Sequence, residues 1–301
     1  KGLLNYMFNG LVRLKPGTAS PDFIEPDLAE SWTVNPTGTE FTFKIRQGVQ
    51  CHHGYGPFSA EDAAFSIKRA ANKATSSYSG DFAALENLID IQIAGGVNYL
   101  VTLGTTGESV VLTEQEKIEV FNCTVKKING RVPLVIGIGG NDTAAVIKAF
   151  SKFDLSKVVA ILSVTPYYNK PSQEGLYQHY IALADAAPKP ILLYNVPGRT
   201  GRNMNAATTL RLAKHANIAG IKEAGPEMAQ MIDILKDRPS DFLVVSGDDE
   251  IVMAQMACGC DGVISVAANA FPKPFSDMIR YAMAGDFSMA KRVNDLLVEG
   301  Y

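Results

Sequence analysis

A chain of 301 residues, 47% of them hydrophobic, is long enough for one large α/β domain, or for one domain with a smaller piece attached. Its 28 basic and 31 acidic residues leave a net charge of −3, which argues against nucleic acid or an anionic membrane surface as a partner. No run of about 18 apolar residues marks a membrane span, and Cys51, Cys123, Cys258 and Cys260 form no C-x-x-C pair, so they read as reduced thiols of a cytoplasmic protein rather than as a zinc site. The chain begins at Lys1, with neither a methionine nor an export signal, as a fragment or trimmed chain would.

The first eighty residues differ from the rest. Leu4–Leu14 surrounds a turn at Asn9-Gly10, and Pro16, Gly17, Pro21, Pro26, Pro36 and Gly38 punctuate the next stretch of chain. Glu40–Arg46 alternates apolar and polar residues, as a half-exposed antiparallel strand does. Ser59-Ala-Glu-Asp62 caps a helix reaching about Asn72, with acids in its first turn and Lys68 and Arg69 near its end. His52-His53 reads as surface loop, because adjacent residues of an extended segment point to opposite sides and cannot share a metal. The small, polar stretch Ala74–Gly80 is the linker candidate. Phe8-Asn-Gly-Leu-Val12, Pro26-Asp-Leu-Ala-Glu-Ser-Trp32, Phe41-Thr-Phe-Lys-Ile-Arg-Gln-Gly48 and Phe58-Ser-Ala-Glu-Asp-Ala-Ala-Phe65 resemble the start of the oligopeptide-type, family 5 solute-binding proteins of ABC importers. A peptide-binding role would need a second lobe and an export signal, and the sequence shows neither.

From Asp81 to Tyr301 the pattern alternates. Helical segments cover about Phe82–Ala94, Glu114–Ile128, Thr143–Phe153, Gln173–Ala186, Ala206–Ala216, Glu227–Asp237, Glu250–Ala257 and Pro274–Ala284. Between them lie apolar runs at Val97–Leu103, Val132–Ile138, Val158–Thr165, Pro190–Asn195, Ile218–Lys222, Phe242–Ser246 and Gly262–Val266. Alternation of this kind predicts a parallel sheet flanked by helices, whose commonest closed form is the (β/α)8 TIM barrel. Seven runs are one short of a barrel, and the helix at Phe82 has no strand before it. The edges near Tyr99 and Val263 are therefore expected to stay unpaired. The N-terminal segment is not expected to fill the gap, because its best strand alternates where a barrel strand needs apolar faces on both sides.

Polar residues gather where the apolar runs end, and in a barrel those ends share one face. Gly104-Thr-Thr-Gly-Glu-Ser109 offers hydroxyls and free N–H groups to an anion, or is an ordinary turn. Tyr167-Tyr168 either packs or serves chemistry, and Arg199 is either a loop arginine or a carboxylate clamp. Gly137-Ile-Gly-Gly140 lacks the third glycine of a dinucleotide fingerprint, and Asp248-Asp249 reads as a helix start rather than a cation site. Lys222, in the apolar run Ile218-Ala-Gly-Ile-Lys-Glu-Ala-Gly225, is either a snorkelling side chain or an amine desolvated into a nucleophile.

Taken together, Gly104–Ser109, Val164-Thr-Pro-Tyr-Tyr-Asn-Lys-Pro-Ser-Gln-Glu-Gly-Leu-Tyr-Gln-His-Tyr180, Tyr194-Asn-Val-Pro-Gly-Arg-Thr-Gly201, Gly220-Ile-Lys-Glu-Ala224 and Gly262-Val-Ile-Ser-Val266 resemble the dihydrodipicolinate synthase family of class I aldolase-like enzymes, which includes N-acetylneuraminate lyase. The resemblance implies a lyase that condenses pyruvate with aspartate semialdehyde for lysine and diaminopimelate biosynthesis. It implies a pyruvate imine on Lys222, proton relay through Tyr194, Thr105 and Tyr168, and a pyruvate carboxylate held by Thr105 and Thr106. Arg199 would take the carboxylate of aspartate semialdehyde, with main-chain contacts from Gly247 and Ile264. In the family the equivalent of Tyr168 reaches the neighbouring subunit's site, so a homodimer or homotetramer is implied, and neither metal nor dissociable cofactor is. Lysine-inhibited relatives carry glutamate where this chain has Ala145, and often histidines at Glu114 and Lys117, so feedback by lysine is expected to be weak although Ser109, Asn141 and Tyr167 remain. The expected architecture is a TIM-type barrel lacking its first strand and the helices that follow the barrel, preceded by a small α+β segment and joined to it near Gly80 as a chimera. The other two expectations are an importer component and an inactive hybrid of two incomplete folds.

Overall fold

The computed structural model describes residues 10–14, 24–36, 40–51, 56–71 and 82–298. His52-His53, the linker Ala74–Gly80 and the turn residue Asn9 lie outside the described residues. The chain divides into two compact units, Lys1–Ala83 and Ala84–Tyr301.

In the first unit, β1 (Val12–Leu14) pairs antiparallel with β2 (Ile24–Pro26), and β3 (Ala29–Val34) with β4 (Phe41–Ile45). The alternation around Phe41 gives the antiparallel strand that its pattern requires. Helix α1 (Ala60–Ala71) starts at Ser59, whose N–H donates to Asp62 Oδ2 at 2.9 Å while its hydroxyl oxygen accepts from the Asp62 N–H at 3.2 Å. That reciprocal cap satisfies two of the N–H groups left open at a helix start.

The second unit is built on seven parallel strands, β5 (Leu100–Thr102), β6 (Leu134–Gly137), β7 (Ala160–Val164), β8 (Ile191–Asn195), β9 (Ile218–Glu223), β10 (Leu243–Ser246) and β11 (Gly262–Val263), adjacent in chain order. Helices α2 (Ala83–Ala94), α3 (Glu114–Ile128), α4 (Thr143–Ala149), α5 (Gln173–Ala186), α6 (Pro197–Thr200), α7 (Ala206–Leu212), α8 (Met228–Asp237), α9 (Val252–Ala257), α10 (Pro272–Met283) and α11 (Phe287–Leu297) alternate with or follow them. Each of the seven apolar runs forms a strand, and among the described residues none of β1–β4 joins this sheet. Among the described residues the sheet is a TIM-barrel wall of seven strands.

Three elements depart from expectation, the first being the short helix α6 after β8, which no expected segment covers. Helix α11 has no counterpart among the expected segments; Asp286 starts it by accepting the Met289 N–H at 3.0 Å, and Ala290 and Leu297 bury one side of it. The last strand stops at Val263 rather than Val266, because Asp249 Oδ2 accepts the N–H groups of Val266 and Ala267, at 2.8 and 2.7 Å, and turns the backbone away.

Side chains of the strands alternate between two apolar compartments, as the period of two requires. Leu134, Ile136, Ile161, Ile191, Leu193, Ile221 and Val244 face the helices in the larger core. Val135, Leu162, Leu192, Tyr194 and Val196 face the barrel interior, where Tyr99, Val101 and Ile264 pack against them. Both faces are apolar, which is why the strands read as continuous runs.

The wall curls far enough that its two ends meet through one side chain. The Tyr99 hydroxyl, just before β5, donates to the carbonyl of Val263 in β11 at 3.3 Å. Burial raises the pKa of this phenol to about 12, so it keeps its proton throughout the ordinary pH range. Tyr99→Phe removes the bond and leaves a part-buried carbonyl unpaired; the expected result is a loss of about 1 kcal/mol in urea unfolding at unchanged m-value. An unaltered midpoint would show that the bridge contributes nothing to closing the wall.

Candidate active site

The register of β8 against β9 sets the site. Tyr194 lies opposite Lys222 and Asn195 opposite Glu223, so Tyr194 and Lys222 share one face of the sheet and Asn195 and Glu223 the other. The Lys222 ammonium nitrogen, Nζ, stands over the Tyr194 ring, 4.4 Å from its centre. Lys222 is only 7% exposed. It is a buried amine, not a snorkelling one.

Burial lowers the Lys222 pKa to about 8; the charge of Asp249 opposes that shift and the guanidinium of Arg199 adds to it. About a tenth of the amine is therefore neutral at pH 7, far more than for a free lysine, as a nucleophilic amine requires. The space for the lysine stem comes from Gly247, where a Cβ would sit 2.8 Å from Lys222 Cε and 2.6 Å from the Ala224 Cβ. Any larger residue there would push against the lysine. The Gly247 N–H also donates to the Glu223 carbonyl at 2.7 Å, fixing this loop to the end of β9.

Tyr194 is buried, and burial raises its pKa, while a hydrogen bond with the Thr105 side chain and the nearby Arg199 charge pull it back. Thr105 belongs to a single 3-10 turn, Thr105–Gly107, directly after β5, and Thr106 follows it; both are exposed at the mouth. Arg199 sits on α6, the short turn after β8, with an exposed side chain that forms no ion pair among the described residues. A guanidinium in that state is free for a carboxylate. Thr105, Tyr194 and Arg199 all line a cavity of about 690 Å³. Ile264 packs into the interior cluster and its N–H donates to the Ser246 carbonyl at 2.9 Å.

The structure thus brings together Lys222, Tyr194 and Thr105, with Arg199 close enough for its charge to act on both Lys222 and Tyr194. It does not bring in Tyr168, which is 88% exposed and has a positive φ of 72°. Within one chain the Tyr194–Thr105 hydrogen bond stands without it. Asp249, read from sequence as a helix start, instead anchors the loop after β11 and acts electrostatically on Lys222. No local pattern signals that role, since the N–H groups it captures lie 17 and 18 residues away.

The same cavity extends past Ser109, Asn141, Ala145 and Tyr167 to Glu114, Lys117 and Lys152. Glu114 is paired with both lysines, at 3.1 Å to Lys117 and more closely to Lys152. These ammonium groups lower the Glu114 carboxyl pKa by hydrogen bonding.

Residues 75–299 match the model of the Dihydrodipicolinate synthetase family. The 4-hydroxy-tetrahydrodipicolinate synthase of Parabacteroides distasonis is 50% identical over 220 residues, 73% of this chain and 74% of that protein. The synthase of Phocaeicola vulgatus is 48% identical over 220 residues, again 73% and 74%. Among solved structures, the chloride-inhibited dihydrodipicolinate synthase from Acinetobacter baumannii complexed with pyruvate superposes with a TM-score of 0.71 at 41% identity, covering 73% of this chain and 75% of that one. Residues 1–74 lie outside the family match.

The buried amine has a measurable effect on stability. Between about pH 8 and the free-lysine value of 10.5, the unfolded chain holds the Lys222 proton and the folded chain does not, so this contribution to stability rises with pH across that window. Below it the fold carries the full cost, on the order of 3 kcal/mol at 1.36 kcal/mol per unit. Lys222→Met keeps length and flexibility without the charge. It should be more stable than the unsubstituted protein in urea unfolding at pH 7, with the difference shrinking towards pH 10; a less stable variant at pH 7 would contradict a desolvated lysine.

Proposed function

Because the chain belongs to the dihydrodipicolinate synthetase family, we propose that it is a 4-hydroxy-tetrahydrodipicolinate synthase, a lyase that joins pyruvate to aspartate semialdehyde through an imine on Lys222. The observation that carries this reading is the Lys222 amine, buried, lowered to about 8 and set over Tyr194.

In this reading neutral Lys222 attacks the ketone carbon of pyruvate and water leaves, giving the imine. Tyr194, joined to Thr105 by a hydrogen bond, moves the protons of that step and receives one from the pyruvate methyl group. Phenol is a weak acid and a weak base on its own, and a hydroxyl relay is what gives it a proton path. The resulting enamine carbon attacks the aldehyde of aspartate semialdehyde. The amine of that substrate then displaces Lys222, closing the ring and releasing the enzyme. Thr105 and Thr106 hold the pyruvate carboxylate, Gly247 and Ile264 supply main-chain contacts, and Arg199 holds the second carboxylate. The chemistry calls for no metal and no dissociable cofactor. The exposed position of Tyr168 fits a residue that completes the relay of a second copy, and hence a homodimer or homotetramer. No helix among the described residues is long and apolar enough to cross a membrane, and a soluble cytoplasmic enzyme is the reading that fits the small, charged substrates.

For residues 1–80 the proposal is a solute-binding-protein-like segment joined near Gly80. It is supported by the four segments resembling importer binding proteins and by the β3–β4 hairpin that two of them form.

Two outcomes test the enzyme reading. Borohydride reduction in the presence of pyruvate should add the pyruvate-derived mass to the peptide containing Lys222, and an unmodified Lys222 peptide would end the proposal. Lysine, a cation, should inhibit turnover weakly or not at all, because Lys117 and Lys152 already pair with Glu114 at the cavity wall and Ala145 offers no carboxylate. Half-inhibition by micromolar lysine in a coupled assay would refute that part.

A further inference from the structure

Behind the Lys222–Tyr194 pair, on the opposite face of the same two strands, lies a second register pair that the condensation does not use. Asn195 and Glu223 are both buried, Asn195 at 0% and Glu223 at 1% exposure. A carboxylate removed from water without a cation is costly and persists only when hydrogen-bond donors surround it. Here they do. The Asn195 amide donates to both Glu223 oxygens at 3.0 Å, the Gly225 N–H to Oε1 at 2.6 Å, and the Gln230 amide to Oε2 at 3.1 Å. Burial raises the Glu223 pKa and these donors pull it down.

The network reaches beyond the pair. Asn195 Oδ1 accepts the Met204 N–H at 3.0 Å, the Asn195 amide donates to Asn203 Oδ1 at 2.7 Å, and Asn203 donates to Gln230 at 2.8 Å. Asn195 and Met204 are the two feet of the loop that carries α6 and Arg199. Gly225 is held so close that a Cβ on it would lie 2.7 Å from Glu223 Oε1.

We propose that Glu223 is a positioning residue for the second substrate: its carboxylate ties the end of the Lys222 strand to both feet of the Arg199 loop, and so sets the distance between the imine and the carboxylate clamp. The inference rests on the condensation proposed above. The charges that act on Lys222 are those of Asp249 and Arg199, so Glu223 acts through geometry. Only an acceptor-only group fits its place. The Met204 N–H fixes Asn195 so that its amide donates toward residue 223, and the Gly225 N–H cannot be reversed. A glutamine there satisfies Gly225 with its oxygen and then sets its own NH2 against that of Asn195.

The test is steady-state kinetics on the full chain carrying Glu223→Gln, beside the unsubstituted protein. The unsubstituted protein must first trap pyruvate at Lys222; if it does not, the imine reading itself fails, which is a separate result. Given that, Glu223→Gln should trap pyruvate and keep its KM for pyruvate within about twofold, while KM for aspartate semialdehyde rises about tenfold. The pair Asn195→Asp with Glu223→Gln reverses the polarity of the bond, and Asn203 can follow by turning its amide, but Gln230 is held by the Met204 carbonyl, to which it donates at 3.2 Å, so the pair should restore only part of the loss. Unchanged kinetics in Glu223→Gln, or parallel losses for both substrates, overturn the proposal. Should Glu223→Gln not fold, Gln230→Ala, which removes one donor to Glu223 together with the bonds of Gln230 to Asn203 and to the Met204 carbonyl, should show the same split at about threefold, and its absence overturns the proposal equally.

Discussion

Everything at this site depends on one register, that of β8 against β9. Strand side chains alternate with a period of two, so sliding one strand by a single residue would turn Lys222 toward the helices and Glu223 toward the interior. The pairing that places Lys222 over Tyr194 on one face therefore also places Glu223 beside Asn195 on the other. Each face has its own requirement. The inner needs an amine kept out of water, and the outer needs enough donors to hold a buried carboxylate. One strand ending, Lys222-Glu223, meets both.

Close backbone approach protects this arrangement. A Cβ on Gly220 would lie 2.4 Å from the Leu243 carbonyl oxygen, so β9 and β10 draw together where no side chain intervenes. Gly247 leaves room for the stem of Lys222 in the same way. The lowered pKa of the amine follows from this packing, because a lysine with space to extend would reach water and regain its charge. Stability is given up here to keep the amine out of water, as is common where function needs a strained or desolvated group.

The sequence pattern carried most of the fold, because parallel strands with two apolar faces announce themselves as runs, and all seven runs are strands. It also carried the residues that stand at strand ends, Thr105, Tyr194, Arg199 and Lys222. What it missed was non-local. Asp249 looks like an ordinary helix start until the chain folds and brings the N–H groups of Val266 and Ala267 to it. The early stop of β11 follows from that same contact. Glu223 is hidden for another reason. A charged residue at the end of an apolar run reads as the place where the strand meets water, and only the donors arriving from Asn195, Gly225 and Gln230 reveal it as buried.

The open edge of the wall bears unequally on the site. Lys222 stands on β9, which is hydrogen-bonded to β8 on one side and β10 on the other, and Tyr194 on β8 is likewise flanked by β7 and β9. Both are interior strands, which is why the amine is desolvated although the sheet has only seven strands among the described residues. Three other groups of the proposed site, the two threonines proposed for the pyruvate carboxylate and Ile264 with its main-chain contact, stand differently. Thr105 and Thr106 follow β5, and Ile264 follows β11, the two terminal strands of the sheet. Across that opening run the Tyr99–Val263 hydrogen bond and, from the helix before β5, the bonds of Gln92 to the carbonyls of Ala268 and Asn269. An edge strand held by one partner opens more readily than a strand held by two. On the function proposed above, an opening between β5 and β11 therefore bears on the grip on pyruvate, while Lys222 and Tyr194 stand on strands paired on both sides.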